Sequence, residues 1–241
     1  MKSDAFYSRT RMLLGDDGVK RLRASCVAVF GLGGVGSYIV EALVRAGVGK
    51  LILVDGDAVA ESNLNRQLIA TRETLGMRKT EAAAERARSI NPGVELELYD
   101  LYYSAQTSGH VDLSGADFAA DAIDSVKSKL ELILRCRDAG VLLISCMGTG
   151  NKLNPSRLEL ADIYETSVCP LAREMRRLCR KEGIESLRVL YSKEEPIVPA
   201  EAFCQEDSEI TRRRAPGSVS FVPSAAGLMI AGEIIKNIAG V

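Results

Sequence analysis

Gly31-Leu32-Gly33-Gly34-Val35-Gly36 decides the fold, because this stretch joins an apolar run to a segment with helical periodicity. The run before it, residues 26–30, reads Cys-Val-Ala-Val-Phe and is typical of a buried parallel strand. After the glycines, apolar residues recur at helical spacing as far as Ala46, and residues 51–54 form a second strand-like run. Strand, glycine-rich turn, helix and strand within about 30 residues predict a βαβ unit with a right-handed crossover.

Helical and strand-like segments continue to alternate through the middle of the chain. Residues 79–90 and 126–139 have helical periodicity, and residues 94–98, 118–120 and 141–144 are short strand-like runs. This alternation predicts a Rossmann-like, doubly wound α/β fold with a mostly parallel sheet.

The alternation weakens after Gly150, where we expect an irregular α+β C-terminal extension. Residues 157–160 and 187–191 resemble strands, and residues 170–182 resemble a helix with proline in its first turn. Residues 192–217 carry three prolines and mixed charges without periodicity, which predicts a mobile loop.

An apolar segment at 224–238 is predicted to close the chain as a helix. We therefore expect one domain over residues 1–241, with a nucleotide-binding core at 1–150 and a substrate-facing extension at 151–241.

The composition narrows the class of protein. The chain of 241 residues is 46% hydrophobic, enough for a large core, and its net charge of −1 gives no overall field that attracts nucleic acid. Its apolar stretches are broken by charges before the roughly 20 residues that a membrane span needs. The N-terminus has no apolar signal core. We expect a cytoplasmic protein without a membrane segment.

The glycine-rich stretch is also a candidate phosphate site. Such glycines let phosphate approach backbone N–H groups at the start of a helix. The glycines concerned are Gly31, Gly33, Gly34 and Gly36. Asp55 ends the next strand 19 residues after Gly36, where a carboxylate accepts hydrogen bonds from ribose. A glycine-rich turn without a ligand is the alternative, and these residues alone do not separate NAD from ATP.

The segment after Asp55 favours ATP. It carries Arg66 and Lys79, whose charges would neutralise a triphosphate so that an oxyanion can attack the α-phosphorus. A dehydrogenase would need neutral surroundings for nicotinamide, so a dinucleotide-dependent oxidoreductase is the more distant alternative. Taken alone, Lys79 could equally be a solvated helix residue.

Two aspartates follow the predicted strand at 118–120, at the sheet edge where ligands bind in such folds. Magnesium prefers oxygen ligands and commonly takes one or two carboxylates together with phosphate oxygens. Of Asp121 and Asp124, we predict Asp124 as the Mg²⁺ ligand. The alternative is that Asp124 caps the helix that begins near Val126.

Together these residues resemble the ubiquitin-activating-like (ThiF/MoeB-type) adenylyltransferases. The matching motifs are Gly-x-Gly-Gly-Val-Gly, Asp55-x-Asp57, Ser62-Asn63-Leu64-x-Arg66-Gln67, Lys79, Ile90-Asn91-Pro92 and Asp121-x-x-Asp124. The resemblance covers residues 7–145 and resumes in the last helix. Within the superfamily, residues 121–126, 170–172 and 218–224 are most similar to the tRNA threonylcarbamoyladenosine dehydratases.

The resemblance implies ATP-dependent adenylation of a carboxylate, with ATP and Mg²⁺ as cofactors. In the dehydratases, the carboxylate belongs to threonylcarbamoyladenosine in tRNA, and ring closure within that modification releases AMP with net loss of water. Arg66, Lys79 and Asp124 are the implied catalytic residues, and Asp124 is the implied metal ligand. The implied nucleotide-binding residues are Gly31, Gly33, Gly34, Gly36, Asp55, Asp57, Asn63, Arg66, Gln67, Lys79 and Asp124.

The resemblance also implies a homodimer in which an N-terminal arginine reaches the active site of the partner subunit. Arg9 fits that position, and Arg11 is close enough to leave the choice open. A sulfur-relay protein is kept open as a further partner.

A tRNA substrate requires local positive charge in a chain with a net charge of −1. Cations at helical spacings of three and four occur in the predicted helix at 170–182, and an arginine triplet lies in the predicted loop. Such groups bind phosphates with steep salt dependence, although charge runs are often only solvated faces. The residues are Arg173, Arg176, Arg177, Arg180 and Lys181, followed by Arg212, Arg213 and Arg214.

The cysteines separate the remaining alternatives. The leading one is adenylation of the C-terminal glycine of a ubiquitin-like sulfur-carrier protein, and enzymes of that kind usually hold zinc with two Cys-x-x-Cys pairs, which this chain lacks. Cys169 and Cys204 are candidates for a thioester nucleophile, but ring closure within the substrate needs none. Cys26 and Cys146 are predicted to be buried apolar groups. An inactive scaffold is the last alternative.

Overall fold

Seven strands form one sheet in the order β3-β2-β1-β4-β5-β7-β6. The computed structural model describes residues 4–198 and 216–241. Neighbouring strands are parallel except for β6 and β7, which pair in opposite directions. The strands are β1 (Cys26–Phe30), β2 (Lys50–Val54), β3 (Glu95–Tyr99), β4 (Phe118–Asp121), β5 (Leu142–Cys146), β6 (Leu158–Asp162) and β7 (Arg188–Ser192). The predicted Rossmann-like, mostly parallel α/β fold is confirmed.

Helices cover both faces of the sheet. They are α1 (Ser8–Ala24), α2 (Gly36–Ala46), α3 (Lys79–Ile90), α4 (Val126–Ala139), α5 (Pro170–Lys181) and α6 (Phe221–Ala239). All five residues of β1 are buried. Because side chains alternate along a strand, these residues point to both faces of the sheet, and both faces are therefore covered at β1. Val27 and Val29 join the core under α2, α3 and α6, whereas Ala28 and Phe30 join the core under α4.

The C-terminal third extends the sheet and then returns to its first half. Strands β7 and β6 continue the sheet beyond β5, with α5 packed beside α4 on the same face. Helix α6 crosses back and packs against α1 and α2. A Cβ on Gly227 would lie 2.4 Å from the Val35 carbonyl oxygen, so the close approach of α6 to α2 requires glycine there.

Helix α6 begins at Phe221, three residues before the predicted start, with Pro223 in its first turn, where proline is tolerated. By length and composition it is the one helix among the described residues that could cross a membrane. However, Ile230, Ala231 and Ile234 are fully buried in the core, as in the central helix of a globular domain. The cytoplasmic location stays a prediction.

Helix α1 is absent from the sequence-based expectations. Glycines interrupt its apolar pattern, and at Gly15 the backbone leaves the helical region (φ 70°, ψ 174°), so two helical pieces meet at a kink. Of the predicted loop at 192–217, Ser192 belongs to β7 instead. Residues 199–215 lie outside the described residues, as do Cys204 and the arginine triplet within them.

Candidate active site

The candidate site lies where β1, β2 and β4 end. These parallel strands are neighbours, so their carboxyl ends bring three segments to one edge of the sheet. The segments are the glycine loop at 31–36, the acidic turn at 55–57 and the turn at 121–124. Segment 61–79 returns to the same edge at its end, where the N–H of Lys79 donates to the Asp57 carbonyl oxygen at 3.0 Å.

The glycine loop presents unpaired backbone donors. The N–H of Leu32 donates to Asp55 Oδ2 at 2.6 Å, which ties the loop to the end of β2. The next three N–H groups, those of Gly33, Gly34 and Val35, have no acceptor within the described parts of the chain. They precede α2, whose N-terminus carries a partial positive charge. The arrangement therefore fits an anion such as phosphate.

Two glycines in this loop are required by geometry. Gly31 has φ +85°, and a Cβ there would lie 2.7 Å from the Ala122 carbonyl oxygen. A Cβ on Gly36 would lie 1.7 Å from the Gly31 carbonyl oxygen. No other residue fits at Gly36 without opening the loop, and Gly31 holds the loop against the turn that leads to Asp124.

Lys79 is buried between two carboxylates, which excludes the alternative of a solvated helix residue. Its Nζ lies 2.7 Å from Asp57 Oδ2 and 3.9 Å from Asp55 Oδ1. The side chains of Lys79 and Asp55 are only 7% and 8% exposed, whereas that of Asp57 is 48% exposed. The ammonium group of Lys79 is thus held at the edge of the candidate site. Of its two carboxylate partners, Asp57 is the one that faces solvent.

The two carboxylates have opposite pKa shifts. Burial raises the pKa of Asp55 above its ordinary value, although Lys79 and two backbone N–H groups oppose the shift. Burial also raises the pKa of Asp57, but hydrogen bonds from Lys79 and the Tyr102 hydroxyl outweigh it, and its pKa lies below the ordinary value. Tyr102, whose hydroxyl lies 2.8 Å from Asp57 Oδ1, is a contact that the sequence did not indicate.

The segment with Asn63, Arg66 and Gln67 packs against the glycine loop. Asn63 is buried, and its Oδ1 accepts a hydrogen bond from the Ala60 N–H at 3.0 Å, which fixes the local turn. The Cγ atom of Arg66 lies 3.4 Å from the position of a Cβ on Gly34. Gln67 is 7% exposed, and its Oε1 atom is buried without a hydrogen-bond partner among the described residues. Gln67 Nε2 lies 3.8 Å from a Cβ position on Gly33, so Arg66 and Gln67 flank the glycine loop. Arg66 Nη1 donates to the Ser62 carbonyl oxygen at 2.8 Å and to Asn65 Oδ1 at 2.9 Å.

The two aspartates after β4 have different surroundings. Asp121 is fully buried, and its Oδ2 accepts hydrogen bonds from Lys129 Nζ at 3.0 Å and Ser145 Oγ at 2.5 Å. Asp124 is exposed and has no ion pair with another described residue. Ser125, not Asp124, caps α4, since its Oγ accepts from the Ser128 N–H at 3.4 Å.

Asp124 therefore offers a carboxylate that phosphate-bound Mg²⁺ can use, whereas the oxygens of Asp121 are engaged. In the described parts of the chain, no group of three or more metal-ligating side chains forms a closed metal site. A Mg²⁺ ion would take most of its ligands from phosphate and water, as this ion commonly does.

Arg9 is the one predicted catalytic residue that lies away from this edge. It lines a groove of about 440 Å³ together with Leu13, Gly232 and Ile235. The start of α6 contacts the glycine loop, since Pro223 lies 3.3 Å from a Cβ position on Gly34. Residue 232 is nine residues further along α6, about 14 Å at 1.5 Å per residue, so Arg9 does not join the site of its own chain. Arg11 pairs with Asp16 at 2.7 Å.

The described cysteines are buried. Burial raises the pKa of the Cys26 thiol to about 11 and the pKa values of Cys136 and Cys146 to about 12. Cys26 and Cys146 are thus apolar core groups, as predicted. Cys169 is 2% exposed at the start of α5.

The chain matches the ThiF family over residues 7–241. It is 39% identical over 238 residues to the tRNA threonylcarbamoyladenosine dehydratase of Bacillus subtilis (strain 168), which covers 96% of this chain and 94% of that protein. Over 140 residues it is 35% identical to the SAMP-activating enzyme E1 of Haloferax volcanii, which covers 57% of this chain and 52% of that protein.

The fold is also similar to that of the E. coli tRNA N6-threonylcarbamoyladenosine dehydratase. Its complex with AMP superimposes with a TM-score of 0.87 at 29% identity, over 100% of this chain and 98% of that chain. Its complex with ATP gives the same TM-score at 28% identity, over 100% and 97%. The resemblance drawn from the motifs is confirmed.

Proposed function

Because this chain belongs to the ThiF family, we propose that it dehydrates threonylcarbamoyladenosine in tRNA by adenylating its carboxylate with ATP. A carboxylate oxygen attacks the α-phosphorus of ATP, and pyrophosphate leaves. A nucleophile within the same modification then attacks the activated carbonyl carbon and closes a ring. AMP leaves with the former carboxylate oxygen, so the substrate loses one water in total. Similarity to the B. subtilis dehydratase along nearly its whole length supports this substrate.

One observation carries the proposal: N–H groups without an acceptor in the described part of the chain and a buried lysine converge at the end of β1 and β2. The N–H groups of Gly33, Gly34 and Val35 can donate to phosphate oxygens without giving up a bond to any other described residue. Lys79 adds a full positive charge where the surroundings exclude most water, so its effect on developing negative charge is larger than in solution. The Cγ atom of Arg66 packs beside Gly34, so its guanidinium, now bonded to Ser62 and Asn65, would have to turn towards the phosphates when ATP binds.

Asp124 is the residue that would hold Mg²⁺, which supplies charge neutralisation on the phosphates when bound. Its carboxylate is exposed, belongs to the turn packed against Gly31 and has no competing cation within the described residues. Asp55, buried at the end of β2, is the residue that would accept hydrogen bonds from a ribose, in addition to those from the Leu32 and Asp57 N–H groups.

The active unit is a homodimer in which Arg9 completes the site of the partner subunit. Arg9, on α1, lies beside the part of α6 around Gly232, too far from the glycine loop to serve its own chain, and the groove around it is apolar. Met12 and Leu13 beside it are 82% and 84% exposed, which is typical of a surface covered by a second copy. Arg11 is already paired with Asp16, which favours Arg9 as the arginine that enters the active site of the partner subunit.

Adenylation of a carrier protein is the second candidate. The partial match to the H. volcanii enzyme covers chemistry that both functions share. A sulfur-relay partner rests on that match and on the family resemblance.

Two parallel incubations separate the two functions. The protein is mixed with ATP, Mg²⁺ and either tRNA that carries threonylcarbamoyladenosine or a ubiquitin-like carrier with a C-terminal diglycine. We expect AMP release with the tRNA only, together with a loss of 18 Da from the modified nucleoside, the mass of one water. AMP release with the carrier only would overturn the proposal.

A further inference from the structure

We propose that the exposed face of α5 binds the phosphate backbone of the tRNA beside the modified nucleotide. This inference rests on the proposed function. We call the residues of this face the α5 surface: Arg173, Arg177, Arg180 and Lys181, all exposed.

The helix separates charge from apolar groups across its width. Ala172, Met175 and Cys179 are fully buried against the core around β6 and β7. The cations occupy the other side, because spacings of three and four residues return to one face of a helix. Twelve residues of α5 include five cations and one carboxylate, a net charge of +4 in a chain whose overall charge is −1. The positive charge is therefore concentrated here.

Arg176 is excluded from this surface, although its sequence spacing includes it. It is only partly exposed, and its Nη1 atom donates to the Thr166 carbonyl oxygen at 2.7 Å and also to the Thr166 hydroxyl. Arg176 thus fixes the segment before α5 along the side of the helix. The structure reduces the predicted cluster on the helix from five residues to four.

The cations of the α5 surface are available to phosphate. Arg177 pairs with Glu174, and these side chains are 64% and 44% exposed. Water screens such an exposed pair, so a phosphate can replace the carboxylate. Arg180 lies 5.3 Å from the centre of the Tyr164 ring. That contact holds the guanidinium in place, while its N–H groups have no acceptor among the described residues and can donate to an anion.

The α5 surface begins at the edge of the sheet that holds the candidate active site. A Cβ on Gly148 would lie 3.7 Å from Cys169 Sγ and 3.9 Å from Leu171 Cβ, so the first turn of α5 contacts the segment after β5. Strand β5 is the neighbour of β4, which leads to Asp124. From there the 12 residues of α5 extend about 18 Å down the face of the sheet. A strand that enters the site with its modified base can continue along this row.

This surface lies on the opposite face of the sheet from the groove between α1 and α6. Dimer formation and binding along α5 therefore do not compete. A row of separate cations matches the regular spacing of backbone phosphates, and contacts of this kind are recognised by a steep dependence on salt.

The experiment compares two double variants of the full-length protein. Arg177→Ala/Lys181→Ala removes half of the α5 surface, and Lys20→Ala/Arg88→Ala removes one lysine and one arginine from exposed positions on α1 and α3. Binding of tRNA that carries threonylcarbamoyladenosine is measured by filter retention between 50 and 200 mM KCl. Binding of ATP alone serves as the control for folding.

We expect the α5 variant to bind the tRNA roughly tenfold more weakly at low salt, while ATP binding stays within twofold. The slope of log K against log salt should fall by roughly 1.4 to 1.8, the contribution of two phosphate contacts. The Lys20/Arg88 variant should behave as the wild type. An equal loss of tRNA binding in both variants, or no loss in the α5 variant, would contradict the proposal that the α5 surface binds the tRNA backbone.

The outcomes also separate this inference from the function beneath it. If the wild type shows normal tRNA-dependent AMP release and the α5 variant binds tRNA normally, the proposed function is supported. In that case only the role of the α5 surface is rejected. Wild-type protein without any tRNA-dependent AMP release removes the proposed function itself. If the α5 variant loses activity on a carrier protein instead, the surface binds an acidic protein and the inference is wrong.

Discussion

Lys79 and Lys129 are both buried lysines that meet aspartates where strands end at the same edge of the sheet. Lys79 is 7% exposed, and its closest carboxylate, on Asp57, is 48% exposed. Lys129 and Asp121 are 1% and 0% exposed, and Lys129 Nζ also donates to the Cys146 carbonyl oxygen at 2.7 Å. The Lys79–Asp57 pair opens towards the candidate active site, and the Lys129–Asp121 pair is sealed in the core beside it.

The difference shows how burial alone fails to identify a functional charge. A sealed pair has all its hydrogen bonds inside the protein, so it can only hold elements together: here β4, β5 and α4. The open pair leaves Lys79 near backbone donors that have no acceptor among the described residues. We therefore assign Lys79 to chemistry and Lys129 to the fold, and the following changes test that division.

The largest effect is expected at the sealed pair. Lys129→Met leaves the Asp121 carboxylate buried without its cation, which should lower the free energy of unfolding by about 3 to 5 kcal/mol. Denaturant titration measures this change. The double variant Lys129→Met/Asp121→Asn removes both charges and should recover most of the loss. No difference between the single and double variants would show that charge is not the reason.

Lys79→Ala should lower tRNA-dependent AMP release by at least about a hundredfold, the scale of losing one charge that stabilises a transition state. Single-turnover measurement at saturating ATP separates this loss from weaker binding. Lys50→Ala is the matched control, because Lys50 pairs with Glu97 on the exposed edge of β2 and β3. If Lys50→Ala were as harmful as Lys79→Ala, the open pair would have no special role.

Asp124→Ala should also lower turnover by at least about a hundredfold, but with an unchanged melting temperature, because the side chain is exposed and unpaired among the described residues. The variant should need more Mg²⁺ for half-maximal AMP release. Near-normal rates from both Asp124→Ala and Lys79→Ala would mean that the site lies elsewhere.

A smaller effect concerns the acidic partners of Lys79. The lowered pKa of Asp57 means that it stabilises the fold above its ordinary pKa of 3.8, and this contribution is lost as the pH falls through its folded pKa. The raised pKa of Asp55 has the opposite sign, so its contribution falls as the pH rises from 3.8 through its folded pKa. Carboxyl carbon NMR should find Asp57 titrating below Asp55. The reverse order would contradict the assigned contacts.

The smallest effect is expected from the thiols. Cys169→Ser/Cys204→Ser should leave dehydration of the tRNA intact, because ring closure within the substrate needs no cysteine. Activity is measured against the wild type at equal amounts of folded protein. Loss of activity with retained folding would return the thioester mechanism to consideration.

The nucleotide edge was predictable because its parts are close in sequence. The glycine loop, Asp55 and the segment to Lys79 belong to consecutive elements, and each residue type has a direct chemical reason. Lys129 was not predictable. Lys127, two residues earlier on the same helix, is exposed, and no local pattern separates the two. The acceptor on Cys146 and the hydroxyl of Ser145 come from another strand, so only the assembled sheet distinguishes these lysines.

The C-terminal part shows the same limit. The strand-like runs that became β6 and β7 were recognised within one or two residues, but their place in the same sheet follows from pairing across distant segments. Helix α1 was missed because its glycines and charges obscure its apolar face. The α5 surface was indicated by spacing, yet the inward turn of Arg176 depends on Thr166 and is visible only in three dimensions.

The contact of α6 with the glycine loop has a consequence for synthesis on the ribosome. Pro223 and Gly227 pack against Gly34 and Val35. The glycine loop is made early in translation, but its packing stays incomplete until α6 emerges. At 5–20 residues per second, the intervening chain takes roughly 10 to 40 s to make. During that interval a nascent chain has its motif but lacks the packing that shapes it. Ligand capture by this protein therefore has to follow the synthesis and docking of α6.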